Sequence, residues 1–254
     1  MDFTEKYTND KDQRLLLRKI NDLIQTSRKQ YTVTYSSFLD PAQQALILSV
    51  TEFYGLIEMT GGYDDAERRV CRIRTDDFNA EPEPPFVLLT AEATDKTAVL
   101  SHRDVLGALM GLGIKREMIG DILPNGHTAQ FFCLSGMAEY LLTNFTKIGR
   151  YTIHLTHSDT AQLIAQPTRT RTVNVSAMRL DCIAAEGFGL SRTKAADAIR
   201  KGLVSLNWVI CTDPSQEIKS GDRLSLRGKG KLSVGTLSGT SKKGRLFLDL
   251  IIST

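Results

Sequence analysis

The stretch GFGLSRTKAADAIRKGLVSLN, residues 187–207, constrains the fold most, because it fixes where a helix starts, where it stops and which side is buried. Ser191 is a favoured N-cap, since its side-chain oxygen accepts from a first-turn amide that has no partner inside the helix. Gly202 can take the left-handed conformation that ends it. Ala195, Ala198 and Ile199 recur at i, i+3 and i+4 and define one narrow apolar face. Arg192, Lys194, Arg200 and Lys201 fall outside that stripe, so burial does not explain these four cations. A shorter helix precedes it, with Leu180, Ile183 and Ala184 on one face and Gly187 and Gly189 at its end. Small alanines permit close packing, so the two helix starts, with Arg179 before one and Arg192 and Lys194 on the other, are expected to converge on one surface. Helix N-termini also favour phosphate.

Charge along the chain supports a polyanionic partner. Residues 168–254 hold 15 Lys/Arg against 7 Asp/Glu, a surplus of 8, whereas residues 1–167 hold 17 against 22, a deficit of 5. A basic part that follows a neutral-to-acidic body suggests that one end grips nucleic acid. The glycine-rich segment RGKGKLSVGTLSGTSKKGR extends the basic part with Arg227, Lys229, Lys231, Lys242, Lys243 and Arg245, read as a second phosphate-contacting strip on a hairpin.

The rest of the chain is punctuated clearly. Leu16, Ile20, Leu23 and Ile24 predict a helix within residues 11–30, and Asp40-Pro41 begins a second that runs through AQQALILSVTEFYG. Gly61-Gly62 breaks the pattern, and residues 1–80 are expected to form a small α-rich domain. NAEPEPP, residues 79–85, reads as a linker. FVLLTA, HRDVLGALMGLG, IGDILP, TAQFFCL, GMAEYLLTNFTKI and YTIHLTH then alternate in the order βαββαβ. Ser101 with Asp104 supplies a capping box and Asn125-Gly126 a tight hairpin turn. Residues 86–158 therefore predict a ferredoxin-like (RRM-like) sandwich. Its strand TAQFFCL lacks the glycine and basic residues of the usual RNA-stacking signature, so Phe131 and Phe132 are assigned to the core. Residues 160–176 read as a connector, and residues 174–254 as the last domain of an α+β chain.

That last block resembles the S-four RNA-binding domain, an αL module, through R-L-D, L-S-R-x-x-A, I-R-x-G-x-V-x-x-N, P-S and G-D. The resemblance implies two helices on a small sheet that contact RNA backbone, which by position points to Arg179, Ser191, Arg192, Lys194, Arg200 and Lys201. Trp208 stands where that family usually has glycine, in a turn whose positive φ tryptophan resists; it could cover the core or meet RNA. The whole chain is similar to the YlmH-type proteins of bacteria, through GGYxxAERR, IGDILPNG, KIGR and the S-four domain at the end. This implies a non-enzymatic factor on the large ribosomal subunit, with rRNA, tRNA or peptidyl-tRNA and quality-control proteins as partners. A cyanobacterial and plastid branch with the same layout is linked to photosystem biogenesis and stays open as an alternative.

Catalytic patterns are absent or misplaced. Asp181 in MRLDC stands where pseudouridine synthases carry an aspartate, but the S-four pattern already accounts for it, as a structural or charge-balancing residue. RGKGK lacks P-loop spacing, and no G-x-G-x-x-G opens a helix. GTSKKGR lacks the companion histidine motif of a synthetase. His154 and His157 fall on opposite faces of one strand, and Asp64-Asp65 and Asp76-Asp77 read as solvated turns. No cofactor, metal or catalytic residue is expected, and an RNA-modifying enzyme that docks through its S-four domain is the alternative. The four cysteines lie far apart and read as reduced, mostly buried thiols. With no apolar leader or membrane span, a cytoplasmic location is expected.

Overall fold

The structure, a computed structural model, describes residues 2–74, 82–163, 168–240 and 244–253. Lys242, Lys243, Asp76, Asp77 and the first part of the expected linker lie outside the described residues. The chain divides into two compact units, residues 1–164 and 165–254.

The first unit opens with α1 (Lys11–Gln30), whose N-cap Asp10 accepts from the Gln13 amide. Leu17, Ile20 and Ile24 form its buried stripe. β1 (Thr34–Leu39) follows, and α2 (Pro41–Leu48) starts at a capping box between Asp40 and Gln43. α2 stops at Leu48, earlier than the sequence suggested, because Ser49, Val50 and Thr51 are poor helix formers and a 3-10 turn takes over at Thr51–Phe53. β2 (Ile57–Thr60) and β3 (Arg69–Ile73) complete an antiparallel sheet in the order β1-β3-β2. Among residues 2–74 the helices are thus accompanied by a three-stranded sheet that the sequence reading did not include: three short strands, only partly apolar, carry too little periodicity to stand out beside α1.

The sandwich follows with β4 (Phe86–Ala93), α3 (His102–Gly111), β5 (Ile119–Asn125), β6 (Thr128–Leu134), α4 (Ser135–Asn144), β7 (Lys147–Ile148) and β8 (Tyr151–Ser158). The sheet order is β5-β6-β4-β8-β7, and β4 pairs antiparallel with both β6 and β8. This is the strand order of a split βαβ sandwich extended by a two-residue edge. Leu89, Ala91, Phe131 and Cys133 face α3 and α4 through Val105, Leu109, Ala138 and Leu141.

The other face of this sheet is not open to a base. Leu88 and Phe132 pack against Phe38 of β1 and Val70 of β3. Phe132 is 4% exposed and lies 6.0 Å from the Tyr63 ring and 5.8 Å from the Phe86 ring. Both phenylalanines of β6 are core residues, on opposite faces. Asp121 of β5 fixes the contact: its carboxylate accepts from the Tyr63 hydroxyl at 2.6 Å and from the amides of Glu67 and Arg68 at 2.7 and 2.9 Å. Burial first, and then the hydrogen bond to Asp121, push the Tyr63 phenol well above its ordinary range. Gly62 sits beneath the ring of Phe132 at φ 91, where a Cβ would come within 2.3 Å of it. The motifs GGYxxAERR and IGDILPNG are thus two halves of one joint.

The second unit contains β9 (Thr168–Val175), α5 (Leu180–Phe188), α6 (Arg192–Arg200), β10 (Val204–Leu206), β11 (Val209–Ile210), β12 (Arg223–Leu226), β13 (Gly230–Thr240) and β14 (Leu246–Ser253). Its antiparallel sheet runs β11-β10-β12-β13-β14-β9. α5 and α6 bury Leu180, Ile183, Ala184, Ala195 and Ile199 against Val204, Leu224, Leu232, Val234, Leu248 and Leu250. The connector expected at residues 160–176 ends instead in β9, which pairs with β14 from Thr168–Ser253 to Val175–Leu246. Its alternation T-R-T-R-T-V-N-V is a period-2 pattern in which threonine and arginine take places more often apolar.

Candidate nucleic-acid interface

The starts of α5 and α6 meet at one carboxylate. Arg179 precedes α5, and Asp181, in its first turn, is 4% exposed. Asp181 Oδ1 accepts from Arg179 Nε at 3.1 Å, and Oδ2 accepts from Arg192 Nε at 2.8 Å. The carboxylate is buried while the arginine side chains remain 40% and 56% exposed. Burial alone would raise the Asp181 carboxyl, but hydrogen bonds from Arg192, Arg179 and Cys182 outweigh it and hold it below the usual aspartate range. The same bond holds the Arg192 guanidinium above its ordinary value. Two planar forks are therefore positioned from behind by one buried acid and present their remaining donors outward.

Backbone amides contribute less here than the sequence implied. The Leu180 and Asp181 amides donate to the carbonyls of Gln216 and Pro214 at 2.9 and 3.1 Å, and the Cys182 amide donates to Asp181 Oδ1 at 3.0 Å. Ser191 caps α6 by accepting from the Lys194 amide at 3.3 Å. With the start of α5 already satisfied by protein groups, an anion here would meet guanidinium and ammonium groups rather than the α5 amides.

The other sequence-derived residues fall in two further places. Arg200 and Lys201 lie at the end of α6, where Arg200 donates to Asp197 at 3.3 Å. The exposed Arg227 and Lys229 occupy the β12–β13 turn, whose Arg227 amide donates to Leu203 O just after α6, so this turn joins the same end of the helix. Lys231 stands on β13 opposite Ser225 and Ser253. Arg245, at the start of β14, donates to Asn174 Oδ1 at 2.7 Å and so ties β14 to β9. β13 is 11 residues long, up to about 35 Å if fully extended, and stands between Arg227 and Lys229 at its start and Arg245 beyond its end. The expected single strip is thus divided between the two ends of a hairpin.

Three cations escaped the sequence reading. Arg169 and Arg171 lie on β9, and Arg171 donates to Glu186 O at 2.5 Å. Arg223 of β12 lies 5.3 Å from the centroid of the Trp208 ring. Treating residues 160–176 as a connector hid the first two; nothing local to Arg223 signals its partner. Trp208 itself takes φ 67, so the tryptophan adopts the left-handed turn that glycine usually fills.

Among the described residues no group of acidic, histidine or cysteine side chains is placed to hold a metal, and no helix is long and apolar enough to cross a membrane. Cys71, Cys133 and Cys182 are buried and Cys211 is half-buried; burial pushes the Cys71 and Cys133 thiols up to about 12.

Two cation-bearing helix starts on a small antiparallel sheet, in a unit that follows a βαββαβ sandwich in the sequence, define a class. Residues 178–224 match the S4 domain family, and residues 81–162 match the family described as "Putative RNA-binding domain in YlmH". The chain is 32% identical over 240 residues to the Ribosome-associated protein quality control protein P2 of Bacillus subtilis (strain 168), covering 92% of this chain and 93% of that one. It belongs to the YlmH family. The solved structure of "Cell division protein ylmH from Streptococcus pneumoniae" shares the fold at 22% identity and TM-score 0.50, over 60% of this chain and 94% of that one.

Proposed function

We propose that this chain is a cytoplasmic, non-enzymatic factor that binds the large ribosomal subunit and assists quality control of stalled nascent chains. The observation that carries the reading is the pair Arg179 and Arg192, held outward on the buried Asp181. Guanidinium forks match phosphate geometry, and a unit with a surplus of 8 positive charges supplies the longer-range attraction. The S4 match and the name of the Bacillus relative support rRNA, with tRNA or peptidyl-tRNA beside it, as the RNA. In this reading residues 165–254, the compact unit that includes β9, form the RNA-gripping domain. Residues 1–80 and 86–158, joined through Asp121, form the body that orients it and meets quality-control proteins.

Sedimentation of cell extract through a sucrose gradient tests this. Wild-type protein is expected to migrate with free large subunits, and Arg179→Ala/Arg192→Ala to remain near the top. Wild-type protein that stays at the top under low-salt conditions would contradict the proposal.

A further inference from the structure

The β10–β11 hairpin holds a tryptophan where its backbone is strained and its ring is not buried. Leu206 pairs with Val209, so Asn207 and Trp208 are the two residues of the turn, at φ 46 and φ 67. A two-residue turn with both φ values positive favours Asn-Gly, and tryptophan has no conformational reason to occupy its second position. The turn is clamped through Asn207: its side-chain amide donates to Asp222 Oδ1 at 2.8 Å, its side-chain carbonyl accepts from the Arg223 amide at 2.9 Å, and its own amide donates to Arg223 O at 2.8 Å. These bonds hold Trp208 in place without using its side chain.

The ring does not serve the core. Trp208 is 38% exposed and stands outside the apolar cluster beneath α5 and α6. Its close polar neighbour is the Arg223 guanidinium, 5.3 Å from the ring centroid. A strained residue that persists without a packing reason points to a role in binding, and an exposed aromatic ring beside an arginine is what single-stranded nucleic acid uses for base stacking. The chain also tethers the hairpin to the segment that pairs with the start of α5. Six residues lead from Trp208 to Pro214, whose carbonyl accepts from the Asp181 amide at 3.1 Å, so the chain limits that separation to about 20 Å.

We propose that Trp208, backed by Arg223, is a stacking seat for one unpaired nucleobase beside the phosphate-contacting arginines. The proposal rests on the RNA-binding reading above and adds a preference to it: phosphate contacts alone do not distinguish paired from unpaired RNA, whereas a stacking seat does. Val209 and Ile210 are exposed beside the ring and could instead meet a protein, but the guanidinium at the ring and the positive surplus of this unit favour a nucleotide.

Trp208 is the one tryptophan in the chain, so intrinsic fluorescence reports on this ring alone. The full chain would be titrated with an RNA stem-loop carrying unpaired bases and with a blunt, fully paired RNA duplex, following fluorescence and filter binding together. The stem-loop is expected to quench the fluorescence in step with binding, and the duplex to bind with little quenching. Trp208→Gly relieves the turn, so its Tm should equal or exceed that of the wild type. Its affinity for the stem-loop should fall about five- to 100-fold with an unaltered salt slope. Trp208→Phe should keep part of that affinity.

Stem-loop binding without quenching, undiminished in Trp208→Gly, would overturn the stacking seat and leave the RNA-binding reading intact. Failure of both RNAs to bind would remove both readings. A fluorescence change with intact large subunits but with neither RNA would assign the ring to a protein surface and overturn the proposal.

Discussion

Arg192 Nε donates to Asp181 Oδ2 at 2.8 Å, across eleven residues of sequence and between two helices. This bond makes α5 and α6 one device: a buried acid in the first sets the direction of an exposed base in the second. It also makes Arg192 a structural residue as well as a candidate RNA contact, so substitutions there act on both.

Arg192→Ala removes one guanidinium and leaves Asp181 paired with Arg179. RNA affinity at low salt should fall several-fold and the slope of log K against log salt should shrink by about one, with a lower urea midpoint than the wild type. Arg192→Glu, which the sequence alone would treat as a surface charge reversal, sets a second carboxylate against Asp181 and should unfold at lower urea than Arg192→Ala. Urea titration of the two variants checks this order.

Asp181→Asn should weaken the protein in a pH-dependent way. The folded state holds the Asp181 carboxyl below its ordinary value of 3.8. The carboxylate therefore stabilises the fold fully above that value, and the contribution is lost as pH falls through the lowered one. The wild type should exceed Asp181→Asn in stability at pH 7, and the gap should close progressively as pH falls below 3.8. A gap that widens in acid would contradict the assignment.

Arg227 and Arg245 should separate in their effects. Arg227→Ala, in the exposed β12–β13 turn, is expected to reduce the salt slope of RNA binding by about one. Arg245→Ala, which loses the bond to Asn174, should lower Tm and leave the slope unchanged. Equal slope losses would restore the single continuous strip.

The joint in the first unit can be tested independently of RNA. Tyr63→Phe removes one of three donors to Asp121 and should cost about 1–2 kcal/mol by urea unfolding. Gly62→Ala drives a methyl into Phe132 at a left-handed backbone position and should cost roughly 2–4 kcal/mol.

Local chemistry made much of the fold legible. Ser191, Gly189 and Gly202 delimit α5 and α6 because caps act on adjacent backbone, and the βαββαβ order follows from the alternating apolar pattern, the capping box at Ser101 and Asp104 and the hairpin turn at Asn125-Gly126. The Asp181 cluster was legible in outline, since close-packed alanines imply that the helix starts converge. What escaped depends on residues far apart in sequence. Tyr63 and Asp121 are 58 positions apart, and nothing near either identifies its partner. β9 looked like a connector because its inward valines are few, and it becomes a strand only by pairing with β14. Trp208 could be singled out as unusual, but its Arg223 neighbour is set by the sheet.

The most direct measurement is the salt dependence of RNA binding by the full chain and by Arg179→Ala/Arg192→Ala. If about six phosphates are neutralised, raising salt from about 50 to 200 mM should weaken wild-type binding by hundreds- to thousands-fold, and the double variant should lose about two from the slope. Wild-type affinity that barely responds to salt, or a double variant that matches it in slope and strength, would contradict the assignment of the Asp181-held arginines to RNA.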